Sequence, residues 1–122
     1  MKVTLDKEEK VAKMIFASIY PLYLKRVEKN GRTKEELNLL IKWLTGFDER
    51  DLSILIEEKV TFRTFFKKAK ININAHLITG VICGYRVEDI DDEFYVYKQC
   101  RRMEKLIDEL AKGRKIEKIL RS

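Results

Sequence analysis

The stretch TKEELNLLIKWLTGFDERDL, residues 33–52, contains two helix starts and one helix stop, and it decides the fold class. Thr33 and Glu36 have the spacing of a capping box, in which each side chain binds the other's backbone N–H. Leu37, Leu40, Ile41 and Leu44 then recur at helical spacing on one face. Gly46 follows, where a helix end calls for left-handed backbone. Asp48 reads as the next N-cap, with Phe47 before it and Leu52 after it as a hydrophobic staple. The device recurs at Thr61 with Val60 and Phe65, and at Asn74 with Ile73 and Ile78.

Outward from this stretch the pattern stays helical. The chain has five glycines and a single proline, too few for the turns of a β fold. A first helix is predicted over about residues 7–29, kinked or broken near Pro21, with a kink favoured because Val11, Ile15, Ile19 and Leu22 continue across the site. A late helix, about residues 92–112, carries Val96, Cys100, Met103, Ile107 and Leu110 as a heptad seam. A short last helix shows Ile116, Ile119 and Leu120 on one side. LITGVICGYRV, residues 77–87, is rich in β-branched residues, so a short strand is an alternative there. The Asn74 cap favours helix. The expectation is an all-α, compact bundle of about six helices, one domain over residues 1–122, roughly two-thirds helical.

Composition narrows the class. Apolar residues make up 45% and charged residues 38%, which excludes disordered and membrane-embedded chains. MKVTLDKEEKVAK at the start lacks the apolar run of a signal peptide, so the cytoplasm is the expected location. Cys83 and Cys100 read as buried free thiols, and with His76 they cannot complete a zinc set without carboxylates, so no metal or cofactor is expected. The net charge of +6 invites a nucleic-acid reading, but acids are mixed with bases along the whole chain. Any such binding, through Lys98, Arg101, Arg102 and Lys105, is expected to be nonspecific.

Individual motifs read as structure rather than chemistry. His76 and Cys83 on one helix would stand about 10 Å apart along the axis, too far for a nucleophile and its base. Glu88, Asp89, Asp91, Asp92 and Glu93 lack the central glycine of a calcium loop. Gly31-Arg32-Thr33-Lys34 lacks the spacing of a phosphate loop. The helix after Trp43–Phe47 brings four acids against Arg50 and Lys59, which does not suit a DNA groove. Gly80 and Gly84, four apart, would let another helix approach closely.

Seven stretches in order, FASIYPLY (16–23), NGRTKEEL (30–37), WLTGF (43–47), TFRTFFKKA (61–69), LITGVICGYRVEDI (77–90), KLIDELAKG (105–113) and EKIL (117–120), resemble the bacterial domain-of-unknown-function family numbered 2200. The likeness covers about residues 14–122. It is weakest over Asp91–Arg102, where the family usually carries a proline. It implies no activity.

The leading functional expectation is a non-catalytic interaction module that forms a homodimer. Val96, Tyr97, Met103 and Ile107 are its candidate interface, because the late helix has a second apolar side that one domain need not cover. The alternative is a small-ligand binder or enzyme with a pocket near Pro21, drawing on Tyr20, Tyr23, Tyr85 and Arg86.

Overall fold

The computed structural model describes residues 2–121. Among them run seven α-helices: α1 (Leu5–Lys13), α2 (Phe16–Lys29), α3 (Lys34–Thr45), α4 (Glu49–Glu57), α5 (Phe62–Lys68), α6 (Tyr95–Ala111) and α7 (Ile116–Ile119). Between α5 and α6 lies a two-stranded hairpin, β1 (Val81–Ile82) and β2 (Tyr85–Arg86), with a single 3-10 turn on either side. Helix accounts for 65% of the structure, a compact helical bundle.

Three caps hold. Thr33 and Glu36 exchange bonds of 3.1 Å in both directions at the start of α3. Asp48 accepts from the Asp51 N–H at 2.8 Å to open α4, and Thr61 accepts from Thr64 at 3.3 Å to open α5. Gly46 closes α3 at φ +75° and approaches the Lys70 carbonyl so closely that a Cβ would stand 3.0 Å from its oxygen.

The seam residues Val96, Cys100, Met103, Ile107 and Leu110 are all buried, and α6 packs against α1, α2, α3, α5 and α7. Twelve of its 17 residues are buried, including Gln99, Asp108 and Glu109. A helix enclosed on nearly every side is the centre of the core. Phe16, Phe62, Phe65 and Phe66 form a second concentration, with the Phe16 and Phe65 rings stacked at 4.2 Å.

Several expectations need correcting. The first helix breaks at Met14–Ile15, and Pro21 lies inside α2. The break is fixed by tertiary bonds: Phe62 N–H donates to the Met14 carbonyl at 2.8 Å and Phe16 N–H to the Val60 carbonyl at 3.0 Å. Asn74 caps no α-helix; its own N–H is held by the Asn72 side chain at 2.8 Å, and Ile73 is 87% exposed, so no staple forms. Residues 77–87 form no α-helix; residues 81–86 form the hairpin. Cys83 at φ +52° and Gly84 at φ +82° supply the two left-handed residues of a type I′ turn. Ile82 pairs with Tyr85 facing inward, while Val81 pairs with Arg86 facing outward. The glycines at 80 and 84 therefore do not share a helix face, and Cys83 at the hairpin tip is exposed rather than buried.

Candidate functional site

The hairpin lays Tyr85 against α6, where its ring meets Tyr97 edge-on with centroids 5.6 Å apart. Lys7, from α1, donates to the Tyr85 hydroxyl at 2.5 Å. That hydrogen bond is the main reason the Tyr85 phenol is held below the usual tyrosine value. Arg101, one turn along α6, donates to the Tyr97 hydroxyl at 3.0 Å, with its guanidinium 4.6 Å from the Tyr97 ring centroid. Burial pushes the Tyr97 phenol up, and Arg101 works against that rise. Arg101 is also paired with Glu104, and it donates to the exposed Cys83 thiol at 3.6 Å. Two phenols, two cations, a carboxylate and a thiol thus form one connected cluster between hairpin and helix.

Beside this cluster opens a cleft of about 700 Å³. It is lined by Gly84, Tyr85 and Arg86 of the hairpin, by Ile90 and Phe94, and by Lys2 and Val3. Asp89, Asp91 and Glu93 add negative charge to the lining, and Lys2 and Arg86 positive charge. A smaller recess of about 340 Å³ lies between Gly46, Phe47, Leu55, Lys68 and Lys70.

The four expected ligand residues divide. Tyr85 and Arg86 line the cleft; Tyr20 and Tyr23 do not. They point into the core from α2, where Tyr20 donates to the buried Asn38 side chain. The Tyr23 hydroxyl is buried without a conventional hydrogen-bond partner, beside the weakly bonding Cys100 thiol. Pro21 lies between them on the exposed side of α2. Arg86 stands 3.8 Å from Glu88, an ion pair on an exposed edge.

The four expected interface residues are inside the chain's own core: Val96, Tyr97, Met103 and Ile107 are at most 7% exposed. The second apolar side of α6 is thus not left over, because Tyr97 packs on the hairpin and Leu106 is completely enclosed. The basic residues of α6 are engaged within the chain: Lys98 with Asp92 at 2.8 Å, Arg101 with Glu104, Arg102 with Gln99 at 3.2 Å, and Lys105 with the Val81 carbonyl at 3.3 Å. Nothing in the sequence marks Lys7 and Glu8, since charges in a first helical turn are commonplace and their partners lie 78 and about 88 positions away. Among the described residues no three His, Cys, Asp or Glu side chains gather to hold a metal ion, and no helix is long and apolar enough to cross a membrane.

A family model described as "Uncharacterized protein conserved in bacteria (DUF2200)" matches residues 10–121. The crystal structure of the uncharacterized protein SP1917 is similar at 35% identity and a TM-score of 0.84, over 92% of this chain and 91% of that one. No curated protein matches the chain.

Proposed function

The chain belongs to the DUF2200 family of bacterial proteins, whose description names no activity, and from its own geometry we propose that it is a binding module for a small molecule carrying charges of both signs. The cleft beside Tyr85 carries this reading. Its volume of about 700 Å³ lies within the range of small-molecule sites. Val3, Ile90 and Phe94 offer apolar contact, and the lining carries both cations, Lys2 and Arg86, and acids, Asp89, Asp91 and Glu93. A ligand with an ammonium and a carboxylate, such as an amino acid or a short peptide, complements that distribution. Amide chemical shifts recorded while amino acids, dicarboxylates and phosphate compounds are titrated to millimolar concentration test it. Shifts confined to Gly84, Tyr85, Arg86 and Phe94, and weakened by Arg86→Glu, are expected. Absence of any localised response across the panel would sink the reading.

Self-association is the second reading, on a surface other than the one expected from sequence. Ile73 and Val81 are 87% and 53% exposed, and Leu77 between them is 46% exposed. Apolar side chains this open within one short segment favour burial against a second copy. Sedimentation of the unmodified protein beside Ile73→Lys decides it: a monomer in both cases ends the idea.

A further inference from the structure

Residues 2–13 are attached to the rest of the molecule differently from every longer helix. α2 buries Phe16, Tyr20, Tyr23 and Val27, whereas α1 buries only Val11 and Ala12, and Leu5 is 70% exposed. The first turns of α1 are held instead by polar ties. Lys7 donates to the Tyr85 hydroxyl, and Glu9 receives Arg63 at 2.6 Å. Between them Glu8 accepts the Tyr97 N–H at 2.7 Å and the Val96 N–H at 3.3 Å. These are first-turn amides of α6, which has no side-chain cap of its own at Phe94. All three ties precede residue 10, where the family match begins. Downstream, the extended Met14–Ile15 break is bonded to Val60 and Phe62, so the chain turns at a fixed point. The same segment contributes Lys2 and Val3 to the wall of the cleft.

Polar ties exchange for bonds to water at small net cost, while apolar burial does not. A short helix whose first turns are held by such ties, and which buries only Val11 and Ala12 near its end, opens more readily than the core beneath it. We propose that residues 2–13 form a hinged strap that undocks as a unit about Met14–Ile15, opening the cleft at Tyr85 and baring the first amides of α6. While docked, the strap supplies Lys2 and Val3 to the cleft, and Lys7 and Glu8 hold the Tyr85 hydroxyl and the first amides of α6. The consequence for binding rests on the small-ligand reading; the motion does not.

Native-state hydrogen exchange on the full chain tests the motion. The amides of residues 8–13 should exchange as a group with Val96 and Tyr97, well ahead of Leu106, Ile107 and Leu110. Glu8→Gln keeps the side-chain shape and removes the charge; it should speed that group by about tenfold, the size of a lost cap, and leave the core amides unchanged. Glu8→Ala, which removes both bonds, should do the same or more. Exchange of the strap in step with the core, or a Glu8→Gln effect that misses Val96 and Tyr97, would overturn the proposal. Failure of every ligand to bind would leave an observed strap opening intact, so the two readings fall separately.

Discussion

Tyr20 and Tyr23 are three residues apart on α2, equally buried, and opposite in their hydrogen bonding. Tyr20 donates to Asn38, whose amide reaches Glu49 at 3.4 Å. Tyr20→Phe strands a buried carbonyl oxygen and should cost about 1–3 kcal/mol. Tyr23→Phe removes a hydroxyl that has no conventional partner, and should be neutral or slightly stabilising. Urea denaturation of both variants checks the order, and equal losses would contradict it. The sequence shows that both tyrosines sit at helical spacing. It does not show which of them has a partner, because Asn38 lies on another helix, 18 positions away.

At the scale of elements, legibility follows the range of the forces involved. The caps at Thr33, Asp48 and Thr61 are exchanges within three residues, and they are present as read. Asn74 has the same signature, but its side chain makes no cap bond; Asn72 accepts its N–H and donates to the Trp43 carbonyl at 3.1 Å, tying the loop to α3. The hairpin is the less legible alternative in the sequence because Cys83-Gly84 lacks the Asn-Gly signature of a type I′ turn, although both residues adopt its positive φ. Cys83 is the costly member, since a side chain at φ +52° is strained unless it is Asn or Asp. Cys83→Asn should therefore stabilise the protein by about 0.5–1 kcal/mol, and Gly84→Ala should destabilise it by about 1 kcal/mol or more. Thermal unfolding of the two variants reads the signs, and a fall in Tm for Cys83→Asn would count against this account of the turn.

For the molecule as a whole, the heptad seam made α6 legible as a core helix, but one apolar side too many suggested a partner. The cover comes from α1 and the hairpin, and neither is foreseeable from the periodicity of α6 itself. The far end of α6 carries the charge that matters for acid stability. Burial alone would raise the Asp108 carboxyl, but hydrogen bonds from Lys112 and Arg26 hold it below the ordinary aspartate value. A depressed carboxylate stabilises fully above the unfolded value, about 3.9, and that contribution is lost as pH falls through the folded value. Asp108→Asn should thus cost about 1–2 kcal/mol near neutrality, less than a fully buried pair because Arg26 and Lys112 reach solvent. The cost should shrink towards pH 2, flattening the acid limb of a stability–pH profile; a parallel, unflattened limb would contradict the assignment.

Both ends of α6 are finished by residues made long before it. Glu8 closes its first turn, and Arg32 donates to the Leu110 carbonyl at 3.3 Å near its last. Synthesis runs from the N-terminus, so α1, α2, α3 and α5 leave the ribosome without the helix around which they pack. Until about residue 111 has emerged, Leu37, Leu44 and Phe65 have no completed core to enter. Folding of the nascent chain therefore waits for one late helix to complete the core.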